Sequence, residues 1–108
     1  MNARVYEAEL GDSLLDLSRD VHRFLTGTIQ ATTEGQARKC AQEVAEFAED
    51  PCREEARDVL ITLLGWYALE GIPLEWALDD AARKMTTNLA RIWQQQPDGT
   101  WQHVGDAA

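Results

Sequence analysis

The sequence predicts an all-α, four-helix bundle, and three observations carry that expectation. Apolar residues recur at helical spacing in four successive stretches. Capping and breaking residues bound each stretch. No alternating run forms a convincing strand pair, and no repeat or low-complexity run interrupts the pattern.

Asp12 or Ser13 can cap the first helix, with Leu14, Leu17, Val21, Phe24 and Leu25 as its apolar positions and an end near Gly27. Thr33 with Gln36 has the capping-box pattern for a second helix over roughly 34 to 50. Its apolar side is Ala37, Cys40, Ala41, Val44, Phe47 and Ala48. Asp50-Pro51 reads as a cap followed by a proline at the first helical position, opening a third helix that runs to about Glu70. The centre of that helix, Val59 to Tyr67, is apolar nearly all round, which predicts burial on several sides, including by a second subunit. Gly71 ends it. Pro73 starts a fourth helix, about 74 to 95, with Leu78, Ala82, Met85, Leu89 and Ile92 facing inward. Pro97-Asp98-Gly99 is a turn signal before a short tail, Thr100 to Ala108.

The 108 residues suit one domain, 1–108, and the 44% hydrophobic content suits a globular one. A core of this size is modest, so the bundle is expected to be completed by oligomerisation. The net charge of −9, from 19 acids and 10 bases, argues against binding long nucleic acid. It leaves room for a small phosphate ligand, since bound cations reverse the local sign. Cys40 and Cys52 fit no metal or disulfide framework and read as free thiols. No segment reaches the roughly 18 apolar residues of a membrane span. Residues 1 to 10 carry Glu7 and Glu9 and lack an apolar signal core, so the expected location is cytoplasmic.

Residues 43 to 58 concentrate the acid: Glu43, Glu46, Glu49, Asp50, Glu54, Glu55 and Asp58, opposed there only by Arg53 and Arg57. A solvated charged face is the ordinary explanation for such a run. Three details point to a metal site instead. Glu43/Glu46 and Glu55/Asp58 are i, i+3 pairs, each on one side of a helix and flanking its apolar stripe. A hairpin about residues 50 to 53 brings the two pairs face to face. Two unit charges about 5 Å apart then cost roughly 3 kcal/mol at an effective dielectric near 20, which a cation relieves. Glu46 also lies toward the C-terminal end of its helix, where the macrodipole disfavours anions. Carboxylates in this number suit Mg²⁺, with Mn²⁺ as a substitute. A di-iron bundle needs Glu-x-x-His pairs, whereas His22 and His103 follow Arg19 and Thr100 at that spacing.

The fourth helix carries the opposite chemistry. Lys84, Asn88 and Arg91, at i, i+4 and i+7, share one helical face. Alone they read as an exposed charged edge. Beside an acidic metal seam they become a phosphate clamp, with Lys as a point charge, Arg as a fork and Asn as a donor.

Glu43/Glu46, Glu55/Asp58 and Lys84/Asn88/Arg91 together resemble the MazG-like all-α nucleoside triphosphate pyrophosphohydrolases, over about residues 33 to 93. The eight residues that separate the acidic pairs, 47 to 54, are few for that family and imply a tight hairpin. The resemblance implies a magnesium-dependent hydrolase that converts an NTP or dNTP to the monophosphate and pyrophosphate, with nucleotide-pool clearing as one use. It implies a homodimer or homotetramer. It also implies that Glu43, Glu46, Glu55 and Asp58 bind Mg²⁺, with Glu46 the candidate to take the proton of the attacking water. The competing readings are a catalytically silent nucleotide-binding module of the same shape and a plain helical interaction protein. Lys39, four residues before Glu43, reads as an ion-pair partner of Glu43 more readily than as a phosphate contact. Trp66, Trp76, Trp93 and Trp101 read mostly as core or interface aromatics. The base pocket is expected to involve the first helix or a neighbouring subunit.

Overall fold

The computed structural model describes residues 10–106, with side chains from residue 13. In chain order the elements are α1 (Leu10–Arg23), a π-helical turn (Phe24–Thr28), α2 (Thr33–Glu49), α3 (Arg53–Leu69), α4 (Leu74–Leu89), β1 (Arg91–Gln95) and β2 (Trp101–Asp106). All four expected helices are present, and the fold class stands. The chain divides between Ala77 and Leu78 into two compact units.

In the first unit α2 packs most extensively on α3, and α1 also packs on α3. Helix α1 starts at Leu10, so Ser13 lies inside it rather than capping it. The Asp12 side chain falls outside the described residues, as do Glu7 and Glu9. Val21 and Leu25 are the buried apolar anchors of α1 and the turn after it. That turn is wound wider than an α-helix, with the Ile29 amide donating to the Phe24 carbonyl at 3.0 Å.

Three sequence expectations about helix ends need correction. Thr32, not Thr33, caps α2: it is extended, and its hydroxyl accepts from the Gly35 amide at 3.0 Å. Gln36 makes no capping box. Its side chain is buried and donates through Nε2 to the Thr62 carbonyl of α3 at 3.1 Å. Asp50 closes α2, its amide donating to the Glu46 carbonyl at 3.0 Å, and extended Cys52 precedes α3. Pro51 forces its predecessor out of the helical region, so the break falls before it and α3 begins at Arg53. The loop Asp50–Cys52 is the tight hairpin that the spacing implied.

The side of α2 toward α3 is polar. Its buried residues are Gln36 and Glu43, with Cys40 half-buried between them, whereas Ala37, Ala41, Val44, Phe47 and Ala48 are exposed. The expected apolar stripe therefore does not face the α3 seam. Gly65 lets this polar seam close, because a Cβ there would stand 2.6 Å from Gln36 Nε2 and 3.0 Å from Leu25 Cδ1. After α3, Gly71 takes φ +73°, a backbone conformation that favours glycine.

The fourth helix is shorter than expected. It ends at Leu89, and residues 91–95 pair antiparallel with 101–106 around the Pro97-Asp98-Gly99 turn. Partners run from Gln95↔Trp101 through Trp93↔His103 to Arg91↔Asp106, with a bulge between Ile92 and Trp93. The Asp98 carboxylate accepts from the Thr100 amide at 3.0 Å and from its hydroxyl at 2.7 Å. These bonds hold its pKa below the ordinary Asp value. Trp93 Nε1 donates to the Asn88 carbonyl at 2.9 Å, satisfying a carbonyl at the helix end.

Gly65→Ala should destabilise the protein by about 1–3 kcal/mol, because the methyl group must displace a boxed-in, hydrogen-bonded amide. Urea unfolding that leaves the midpoint unchanged would contradict the close packing of α2 on α3.

Candidate metal and nucleotide site

Three of the four expected carboxylates converge across the hairpin. Glu43 of α2 and Glu55 and Asp58 of α3 each offer one carboxylate oxygen, and these oxygens lie within 4.8 Å of one another. Glu43 is only 8% exposed, and Glu55 and Asp58 are half-buried. The convergence follows from helix periodicity: Glu43 lies seven residues after Gln36, two turns along the face that the Gln36–Thr62 bond turns toward α3. Thr62 lies one turn after Asp58 and fixes its own position by donating to the Asp58 and Val59 carbonyls at 3.0 and 2.9 Å.

Each acid has a distinct environment. Lys39 Nζ lies 3.0 Å from Glu43 Oε1, which gives the ion pair expected for Lys39. Glu43 Oε2 is buried without a hydrogen-bond partner, and so is Glu55 Oε2. Arg57 Nε donates to Asp58 Oδ1 at 3.1 Å. Glu46 is exposed at the edge of the group. A hydrogen bond to Glu43 and repulsion by its charge push the Glu46 carboxyl above the ordinary Glu value; burial and Glu55 add to this, and Lys39 opposes it.

These residues fit a hard divalent cation. Buried carboxylate oxygens without partners are costly, and a cation satisfies them. Two oxygens on opposite sides of one Mg²⁺ stand about 4.2 Å apart, so the observed spread needs only a small contraction.

The residues expected to clamp phosphate are not held on one helical face. Lys84, exposed, and Asn88, half-buried, lie a turn apart on α4. Arg91 is half-buried and opens β1 beyond the helix end, so the i, i+7 relation fails there. Asn88 Oδ1 is buried without a partner. Sequence reasoning missed Gln36 and Thr62. The first was assigned to a cap, and the second lay inside an apolar run; a lone Thr there was the available signal. Of the tryptophans, Trp66 packs edge-on against Tyr67 at 5.4 Å, whereas Trp76 and Trp101 are exposed.

Glu46→Gln tests the strain in this cluster. A proton held more tightly in the folded state favours folding at low pH, and that advantage is lost as pH rises through the folded pKa. With chelator present, the variant should therefore melt no lower than the wild type near pH 7, and the difference should vanish below about pH 4. A variant that melts lower than the wild type at neutral pH contradicts the assigned repulsion.

No family model matches the chain. A protein of Salmonella phage PMBT28 described as a dATP/dGTP diphosphohydrolase is 37% identical over 94 residues, which cover 81% of this chain and 31% of that protein. The chain thus spans about a third of the length of that curated relative. A cyanophage S-2L MazG-like pyrophosphohydrolase, solved with dGDP and three catalytic Mn²⁺ ions per active site, superposes with a TM-score of 0.67. It is 23% identical, over 88% of this chain and 97% of that one.

Proposed function

This chain has the MazG-like all-α fold, and we propose that it is a divalent-metal-dependent pyrophosphohydrolase, splitting a nucleoside or deoxynucleoside triphosphate into the monophosphate and pyrophosphate. The observation that carries this reading is the convergence of Glu43, Glu55 and Asp58, with two carboxylate oxygens buried and unsatisfied. The phage diphosphohydrolase and the Mn²⁺-bound cyanophage enzyme support it.

Glu43, Glu55 and Asp58 hold the cation, Mg²⁺ or Mn²⁺, with Glu46 beside them. When bound, the cation supplies charge neutralisation for the phosphates and acidifies a water molecule. Lys39 fixes Glu43 by its Oε1, leaving Oε2 for the ligand. Arg57 restrains Asp58 in the same manner. Glu46, exposed at the edge of the cluster, takes the proton of the attacking water. Lys84, Asn88 and Arg91 are proposed phosphate contacts on charge and donor chemistry, with Asn88 Oδ1 still in need of a partner.

The chain works as a homodimer or homotetramer. Among the described residues the buried apolar core is Val21, Leu25 and Leu74, whereas Val44 and Phe47 of α2 and Leu60, Ile61 and Leu63 of α3 are exposed. So much apolar surface on a small unit suits a second copy. A cytoplasmic location accords with the free thiols of Cys40 and Cys52, and no helix among the described residues is long and apolar enough to cross a membrane.

Glu43→Gln, Glu46→Gln, Glu55→Gln and Asp58→Asn should each lower Mg²⁺-dependent pyrophosphate release by about 100-fold or more, because metal polarisation and nucleophile generation depend on the cluster. Added Mg²⁺ should also stabilise them less than the wild type. Glu49→Gln and Glu54→Gln are the controls. Activity that survives equally in all six variants removes the hydrolase reading.

Light scattering at micromolar concentration should give at least the dimer mass. A monomer mass refutes the shared apolar face.

A further inference from the structure

A cavity of about 630 Å³ opens beside the acidic cluster, lined by residues of α1, the π-helical turn, α2 and α3. Phe24, Leu25, Ile29 and Ile61 give it apolar walls, and Gln36, Lys39 and Thr62 are among its few polar residues. Two of these tie it to the cluster. Lys39 pairs with Glu43 at 3.0 Å, and the Thr62 hydroxyl donates to the Asp58 carbonyl at 3.0 Å. The pocket and the cluster therefore occupy adjacent turns of the same two helices, about 5–6 Å apart along each axis. A nucleotide whose phosphates reach the cluster has its sugar and base within reach of this pocket. Apolar walls with a few fixed polar groups suit a flat heterocycle that must be both buried and identified.

We propose that this pocket receives the nucleobase and that Gln36 is the residue that selects which base is accepted. The inference rests on the hydrolase reading above. Gln36 is suited to the task by its constraint. One N–H is committed to the Thr62 carbonyl, which fixes the plane and facing of the amide. Behind it stands Gly65, so close that even a methyl group would meet Nε2 at 2.6 Å, and the amide has no room to retreat into α3. A primary amide carries two donors and a two-lone-pair acceptor, so one donor and the acceptor lie outside that bond. A fixed donor–acceptor pair matches the adjacent donor and acceptor on an adenine edge. An ionised carboxylate in its place accepts only: it gives up the bond to the Thr62 carbonyl, offers adenine no donor, and matches the paired N–H groups of guanine.

The test measures kcat/KM of the full chain with Mg²⁺ on dATP, dGTP, dCTP and dTTP, for wild type, Gln36→Glu and Gln36→Met. The expected result is a change of at least 10-fold in the ratio between bases, toward dGTP relative to dATP for Gln36→Glu, with loss of discrimination for Gln36→Met. A loss equal for all four substrates overturns the proposal, because it is what a purely structural Gln36–Thr62 tie predicts. A change in oligomer mass without a change in base preference also overturns it, since the pocket would then belong to a second copy. Ile29 lies at the exposed rim, so Ile29→Trp narrows the pocket without touching the core and should raise KM for every substrate by 10-fold or more. An unchanged KM in that variant rejects the pocket even if the Gln36 variants do not fold. A wild type that hydrolyses none of the four overturns the hydrolase reading instead. Equilibrium binding of the four deoxynucleoside monophosphates then decides the pocket, and equal or absent binding in wild type rejects it.

Discussion

Helix α2 meets α3 through polar groups, and the remainder of the first unit follows from that contact. Gln36, Cys40 and Glu43 lie at successive turns along the seam, and the amide of Gln36 reaches across to the Thr62 carbonyl. A buried amide must be bonded, and here the bond also sets how far the helices slide and rotate against each other. Gly65 supplies the space, and Leu25 closes it from the side of α1. With the axial position set there, Glu43 arrives opposite Glu55 and Asp58 two turns later. Lys39 and Arg57 offset some of the accumulated charge from the periphery. They leave the buried oxygens Glu43 Oε2 and Glu55 Oε2 without a hydrogen-bond partner, and a small cation is one group that satisfies such oxygens.

A polar seam displaces the apolar residues. Hydrophobic residues make up 44% of the chain, yet Val44, Phe47, Leu60, Ile61 and Leu63 remain exposed. Burial of apolar area is the main favourable contribution to folding, so a unit that spends its helix–helix contact on carboxylates and amides needs a further contact elsewhere. In the proposed oligomer a second copy supplies that contact, because the surface left exposed in one chain is the same surface left exposed in the next.

Much of this was legible in the sequence, and the failures have identifiable physical causes. Helix periodicity and the Glu43/Glu46 and Glu55/Asp58 spacing located the hairpin and its carboxylates, because i, i+3 geometry is fixed by the helix itself. Residue 36 was misassigned because Thr-x-x-Gln and Thr-x-x-Gly patterns overlap by one residue, and tertiary bonding decided between them. Periodicity identifies the apolar stripe of α2 and not the partner it meets, and most of that stripe lies away from α3. Leu89 and Ile92 fit helical spacing, and residues 91–95 show no period-2 alternation of apolar residues to mark a strand, so periodicity alone carries α4 past its end. Only pairing with Trp101–Asp106, residues far enough away to need the turn at Gly99, marks the strand.

The two helices also contribute differently to the cluster. Glu55 lies in the first turn of α3, at the positive end of the helix dipole. Glu46 lies in the last turns of α2, where the dipole opposes a negative charge, and Glu43 beside it opposes one further. An antiparallel hairpin with a short loop necessarily brings one helix's start against the other's end. The edge carboxylate Glu46 of α2 therefore holds a proton more readily than an ordinary Glu. The hairpin thus sets Glu55 and Glu46, two side chains of the same chemistry, toward opposite ends of their helix dipoles.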